Sequence, residues 1–155
     1  GFDVHKYKDG NEICLCGIKI PYTKSLQGHS DADVAMHALT DSILGSIGMG
    51  DIGDHFPDTN VKWQNTVSST FLLHANSLLN SKNAEINNID MTIICEEPKI
   101  SAFKNEMKKK IAKLLNIKEA QINIKATTTE QLGFLGRKEG IAAQVATSIN
   151  LYEKK

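Results

Sequence analysis

From Ile141 to Leu151 the chain alternates over eleven positions without a slip. On a strand, Ile141, Ala143, Val145, Thr147, Ile149 and Leu151 point to one side. Ala142, Gln144, Ala146, Ser148 and Asn150 point to the other. The first face must be covered by a core. The second is small and polar, too small to hold a thick helix layer, so it faces solvent or a symmetry axis shared with copies of the chain.

Other segments have different periods. Residues 12–20 read as one strand ending at Pro21, and Ile86 to Cys95 as a β-branched strand buried on both faces. Ser30-Asp31-Ala32-Asp33 resembles a capping box, with a hydroxyl at the N-cap and a carboxylate three residues on, opening a helix that runs to about Gly45. A glycine-rich turn, Gly45 to Gly53, follows. Helical spacing recurs over 66–80 (Val67, Phe71, Leu72, Ala75, Leu79) and over 101–116 (Phe103, Met107, Ile111, Leu114), the latter with a lysine-covered outer face. Ile122 to Thr128 is a further strand. With no repeat, low-complexity tract or linker, residues 1–155 form a single domain of α+β or layered α/β class.

Eighteen basic residues balance eighteen acidic ones, so neither a nucleic-acid groove nor an anionic membrane surface is indicated. No apolar run approaches a bilayer span. Cys14, Cys16 and Cys95 are odd in number and do not read as a disulfide framework. Cys14 and Cys16 share a face of the 12–20 strand, as buried small hydrophobes or as a metal pair. Arg137 is the single arginine, which points to an A+T-rich coding sequence. That signature and the abrupt start at Gly1 favour a trimmed protein of a plastid-type organelle (apicoplast) over the bacterial cytoplasm.

Asp3 and His5, two apart on a strand, emerge from one face, while Asp33, His37 and Asp41 form a polar row along an otherwise apolar helix. Laying that helix over the strand brings Asp3, His5 and His37 together. One carboxylate and two imidazoles suit a catalytic Zn²⁺ with its fourth position open. His29-Ser30, at the start of the same helix, reads as an anion site built on free N–H groups and the helix dipole, or as an ordinary N-cap. Gly50-Asp51-Ile52-Gly53 and Phe56-Pro57-Asp58-Thr59 form a carboxylate-rich loop that can accept hydrogen bonds from sugar or polyol hydroxyls, or simply turn the chain. Lys125-Ala-Thr-Thr-Thr-Glu130 gathers oxygen donors suited to Mg²⁺ shared with phosphates. His55 and His74 read as surface residues.

Gly-Phe-Asp-Val-His at 1–5, His-Ser-Asp-Ala-Asp-Val-Ala-Met-His at 29–37, Gly-Asp-Ile-Gly at 50–53, Phe-Pro-Asp-Thr at 56–59 and Lys-Ala-Thr-Thr-Thr-Glu at 125–130 together resemble the 2-C-methyl-D-erythritol 2,4-cyclodiphosphate synthase family. The resemblance covers essentially the whole chain. It implies a mixed four-stranded sheet with helices on one face and the other face towards the threefold axis of a homotrimer, with active sites between neighbouring subunits. It implies a phosphorus-oxygen lyase of the non-mevalonate isoprenoid pathway. That enzyme converts 4-diphosphocytidyl-2-C-methyl-D-erythritol 2-phosphate to the 2,4-cyclodiphosphate and CMP, the 2-phosphate attacking the β-phosphorus.

Carried over by motif, Asp3, His5 and His37 hold Zn²⁺, Glu130 holds Mg²⁺ or Mn²⁺, and His29 and Thr128 steady the transition state. Val4, Ser30, Asp51, Ile52, Gly53, Phe56, Pro57, Asp58, Thr59, Asn60, Phe134 and Arg137 join Asp3, His5 and His29 around the erythritol and its phosphates. Cys95, Pro98, Lys99, Ile100, Ser101, Ala126, Thr127 and Thr128 enclose the cytosine nucleotide. Phe2, Arg137 and Gln144 line an axial cavity that in family members can hold an isoprenoid diphosphate. Two departures stand out: Cys95-Glu96-Glu97 replaces smaller or neutral residues, and Gln144 stands where a glutamate often pairs with the arginine. The second implies a less neutralised Arg137 and a stronger anion preference. Two other functions fit the same residues, a zinc phosphohydrolase that activates water and a non-catalytic prenyl-phosphate-binding trimer.

Overall fold

The computed structural model describes residues 1–28, 30–57, 59–63 and 66–153. In chain order the elements are β1 (Phe2–Asp9), β2 (Glu12–Leu15), β3 (Ile18–Pro21), β4 (Lys24–Leu26), α1 (Val34–Ser46), a single turn α2 (Ile52–His55), and α3 (Ser68–Ser81). Then come β5 (Ala84–Ile94), α4 (Lys104–Leu115), β6 (Ile122–Thr127), a second single turn α5 (Gly133–Gly136), and β7 (Gly140–Leu151). Five strands form one sheet in the order β4-β1-β7-β5-β6, antiparallel except for β5 and β6. The fifth strand, beyond the four expected, is the three-residue edge strand β4.

The alternation expected over 141–151 holds from Ala143 to Asn150, whereas Ala142 is also buried and Leu151 is exposed. β7 turns Ile141, Ala143 and Val145 into the core and leaves Gln144, Ala146, Ser148 and Asn150 exposed. β5 differs from its expectation, because it is buried on one face only. A bulge between Ile86 and Asn88 adds one residue to the strand, so Ile86 and Ile89, three apart, both point inward. An extra residue of this kind shifts the period-two phase and imitates continuous hydrophobicity in the sequence. α1 lies across β7 and β1 and packs against α3. Leu39, Ile43, Leu44, Leu72, Ile89, Met91 and Ile93 are fully buried between helices and sheet. Met107, Ile111 and Leu115 seat α4, with Phe103 and Leu114 at the margin of the core.

The expected 12–20 strand is instead a hairpin. Cys16 and Gly17 turn the chain at φ of 53° and 72°, and β2 and β3 pair antiparallel. Asp33 makes this turn possible. Its fully buried carboxylate accepts the backbone N–H groups of Cys16 (2.9 Å), Gly17 (2.6 Å) and Met36 (2.9 Å). The same group is the N-cap of α1, so the helix starts three residues later than a Ser30 cap would place it. Burial raises the pKa of Asp33 against those three donors. Cys16 is buried in the turn with its Sγ 3.6 Å from Met91 Sδ, and Cys14 is half-buried beside Asp33. Burial pushes both thiols up, and among the described residues neither joins a group of three potential metal-ligating side chains.

Candidate metal centre and cleft

β1 alternates as its role requires: Asp3, His5 and Tyr7 face α1 while Phe2, Val4 and Lys6 face the open side. His37 projects from the first turn of α1, directly over β1. Asp3 Oδ2 lies 2.9 Å from His5 Nε2 and 3.1 Å from His37 Nδ1, and the two imidazole nitrogens are 3.3 Å apart. All three side chains are partly buried, and one donor atom from each falls within a 4.8 Å group. Two neutral imidazoles and a carboxylate converging in this way form a donor set for a divalent transition metal. Burial works against the Asp3 carboxylate, but hydrogen bonds from His37 and His5 outweigh it and hold Asp3 at about 2. Burial likewise lowers the pKa of His5, yet its hydrogen bond to Asp3 and that carboxylate's charge raise it above the usual 6.5.

Each imidazole is also held from behind. His5 Nδ1 lies 2.8 Å from the Gln27 carbonyl, an acceptor only, so Nδ1 carries a proton and Nε2 is the nitrogen that faces the cluster. His37 Nε2 lies 2.8 Å from Ser68 Oγ and 3.2 Å from Ser30 Oγ. Ser68, fully buried at the start of α3, in turn hydrogen-bonds Asp31. The sequence reading missed Ser68 and the role of Asp31. Their separation by 37 residues left no local signal.

The cluster opens into a cleft of about 590 Å³ that also reaches Ser30, Asp41, Ile52, Gly53, Phe56, Pro57, Thr59, Asn60, Trp63 and Phe71. Asp41 accepts the Ile52 N–H (2.8 Å), tying the 50–53 segment to α1. That segment is not a plain loop. Asp51 caps α2 through the Asp54 N–H (3.1 Å) and Asp54 returns the bond, so one Asp51 oxygen is already engaged. The helix-start anion site also needs correcting, because the Asp33 carboxylate occupies the end of α1. Ser30 instead offers its hydroxyl from the cleft wall. His55 and His74 are half-buried, not surface residues: His55 Nε2 donates to the Met49 carbonyl (2.7 Å), and the two rings meet at 3.2 Å beside Phe56. The expectations for His29 and Asp58 fall outside the described residues.

Residues 1–150 match the profile of the YgbB family. The chain belongs to the YgbB family. It is 50% identical over 150 residues to a bifunctional enzyme IspD/IspF of Paramagnetospirillum magneticum, covering 96% of this chain and 39% of that protein. The bifunctional IspDF from Campylobacter jejuni superposes with a TM-score of 0.94 at 42% identity, over 99% of this chain and 42% of that one. A solved 2C-methyl-D-erythritol-2,4-cyclodiphosphate synthase in a CDP-bound form matches at TM-score 0.88 and 30% identity, over 97% of both chains. The chain thus spans about two-fifths of the bifunctional relatives and nearly all of the stand-alone synthase.

The segments that the family resemblance assigns to the nucleotide and second metal lie apart from the cleft. Loops 95–101 and 128–131 follow the adjacent strands β5 and β6 and are joined there. Glu96 accepts the Thr129 N–H (2.9 Å), the Thr129 hydroxyl (3.2 Å) and the Gln131 N–H (3.3 Å). Glu130, exposed at φ 53°, takes a hydrogen bond from the Thr128 hydroxyl (3.1 Å). β6 is three strand spacings from β1, roughly 14 Å, and none of these residues lines the cleft of Asp3, His5 and His37. Lys99, Ser101, Ala126 and Thr127 are exposed and Pro98 and Thr128 half-buried, but Cys95 and Ile100 turn their side chains into the core and can offer only backbone. Burial pushes the Cys95 thiol up to about 11. Val4 and Phe134 share a separate recess on the open side of β1. Phe2 and Gln144 face each other across β1 and β7, whereas Arg137 pairs with Glu139 (2.8 Å) and is not left without a carboxylate by Gln144.

Proposed function

We propose that this domain cyclises 4-diphosphocytidyl-2-C-methyl-D-erythritol 2-phosphate to 2-C-methyl-D-erythritol 2,4-cyclodiphosphate with release of CMP. The observation that carries the proposal is the Asp3–His5–His37 donor cluster lining a cleft in a YgbB family chain. The donor set fits Zn²⁺, and we assign Asp3, His5 and His37 as its ligands and Glu130 as the ligand of Mg²⁺ or Mn²⁺. Bound there, such ions would neutralise charge on a diphosphate and on the departing nucleotide phosphate. The chain itself supplies position. Ser30 and Asn60 present hydrogen-bonding groups along the cleft, and the Asp41 bond to Ile52 N–H holds Ile52 and Gly53 against it. The attacking 2-phosphate is already ionised near neutral pH, so no strong general base is needed.

The separation of the two half-sites within one chain supports an active site shared between copies. In a homotrimer, the Glu96–Thr129 loops of one subunit would face the cleft of its neighbour, with Thr128 steadying the transition state and Lys99 and Ser101 flanking the nucleotide. The exposed face carrying Phe2, Gln144 and Ala146 would line the threefold axis, where an isoprenoid diphosphate is a candidate ligand. No helix of the described residues is long and apolar enough to cross a membrane. Bacterial relatives at 50% identity favour the bacterial cytoplasm over a plastid-type organelle.

Incubation of the purified chain with the diphosphocytidyl substrate, followed by mass spectrometry, tests the activity. Equimolar CMP and cyclic diphosphate without net uptake of water is the expected result. An open-chain product bearing one added water instead identifies a phosphohydrolase and overturns the assignment.

A further inference from the structure

We propose that Asp41 is a substrate-binding residue of the cleft, its outer carboxylate oxygen accepting a hydrogen bond from a hydroxyl of the polyol chain. The proposal rests on the reading of the cleft as the site of a phosphorylated polyol. Of the described residues that line the cleft, two are carboxylates. Asp3 belongs to the donor cluster, which leaves Asp41. Asp51, whose Oδ1 caps α2, is not among the lining residues. One oxygen of Asp41 is already committed, because Oδ1 accepts the Ile52 N–H at 2.8 Å and anchors the side chain against the 50–53 segment. Among the described residues Oδ2 has no hydrogen-bond or ion-pair partner, yet no buried side-chain oxygen is left unsatisfied. Oδ2 is therefore accessible, and the space that its residue lines is the cleft.

Charge and position then give the cleft two unlike ends. Asp41 is half-buried; burial raises its pKa against the pull of the Ile52 N–H, and the Asp51 charge adds to the rise. A carboxylate partly withdrawn from water and holding an unused oxygen gains from a neutral donor, and it repels a phosphate. A hydroxyl brings the one proton that an acceptor-only group needs. His37 and Asp41 are four apart on α1, so they share a helix face about 5–6 Å apart. Ile52, Phe56 and Phe71 in the same wall carry no side-chain acceptor that could compete for the hydroxyl. A ligand with phosphates and hydroxyls is thus held in one direction, phosphate at the donor cluster and hydroxyl one helical turn away at Asp41.

The test compares ligands that differ by one hydroxyl. Calorimetry on the Zn²⁺-loaded whole chain measures dissociation constants for 2-C-methyl-D-erythritol 2,4-cyclodiphosphate and for its 1-deoxy and 3-deoxy analogues. Wild type should bind one analogue about 10- to 100-fold more weakly than the parent, the range of a hydrogen bond to a charged group. Asp41→Ala should bind the parent and that analogue about equally. Because the readout is a ratio, a general weakening of the cleft cancels, whereas a role confined to holding Ile52 would leave the ratio unchanged. Asp41→Asn is the gentler arm. It keeps an oxygen for the Ile52 N–H and puts an NH₂, which cannot accept, in place of the open oxygen, so it too should lose the preference. An Asp41→Asn variant that retains the wild-type ratio, or a wild type indifferent to both hydroxyls, overturns the proposal. Wild type that shows the preference but does not cyclise substrate leaves the hydroxyl contact standing and removes the lyase reading. No binding of any of the three ligands by wild type overturns both.

Discussion

At the scale of single residues the centre depends on three short contacts, one within β1 and two from β1 to α1, and on the groups that orient them. Removing His37 takes away the only donor contributed by the helix. We expect His37→Ala to abolish Zn²⁺ binding and turnover while leaving the proposed trimer intact, as checked by metal analysis and sedimentation. Normal cyclisation by this variant in chelator-treated buffer would refute the ligand assignment. The charges also predict a pH signature in the metal-free protein. The raised value of His5 contributes stability that is complete below 6.5 and is lost as pH rises through its folded value. The lowered value of Asp3 contributes stability that is complete above 3.8 and is lost as pH falls towards about 2. The melting difference between wild type and Asp3→Asn should therefore be largest between pH 3.8 and 6.5 and shrink on both sides.

At the scale of elements, two devices keep the site in place. α1 presents His37 only because its apolar side is seated on β7 and α3. Truncating the fully buried Leu39 removes packing that cannot refill, so Leu39→Ala should cost about 2–5 kcal/mol in denaturant unfolding. Glu96 acts at the proposed second half-site, where one of its oxygens holds three donors of the 129–131 turn. Glu130 and Gln131 adopt φ of 53° and 64°, a conformation that non-glycine residues hold only when neighbours enforce it. Glu96→Ala should therefore leave global stability within about 0.5 kcal/mol while speeding hydrogen exchange at Thr129 and Gln131 and lowering kcat. Unchanged exchange at those two amides would show that the turn holds itself.

At the scale of the whole molecule, the sheet is covered by helices on one face and left open on the other. Phe2 and Val4, exposed at 57% and 41%, lie on that open face beside the small polar side of β7. Three sheets meeting at an axis would bury both, and a long charge there would not fit. Under the proposed trimer, Ala146→Lys should give monomers in sedimentation velocity, with loss of activity because the proposed half-sites separate. An active monomer would refute the shared site.

How much of this was legible in advance depended on the range of the interaction. The β1 pair Asp3–His5, the His37 face of α1 and the two faces of β7 follow from periods of two and 3.6, and each was readable from neighbours a few positions away. The bulge in β5, the hairpin at Cys16-Gly17 and the displaced start of α1 were not. The bulge and the hairpin are imposed by partners distant in sequence, β7 for the bulge and the buried Asp33 carboxylate for the hairpin, while the same carboxylate, once held there, caps α1 in place of Ser30. The same holds for Ser68 and Asp31 behind His37. Alternation and helical spacing are properties of a backbone, and a sequence displays them directly. Which nitrogen of an imidazole carries its proton, and which carboxylate closes a turn, depends on groups that only folding brings within hydrogen-bonding distance.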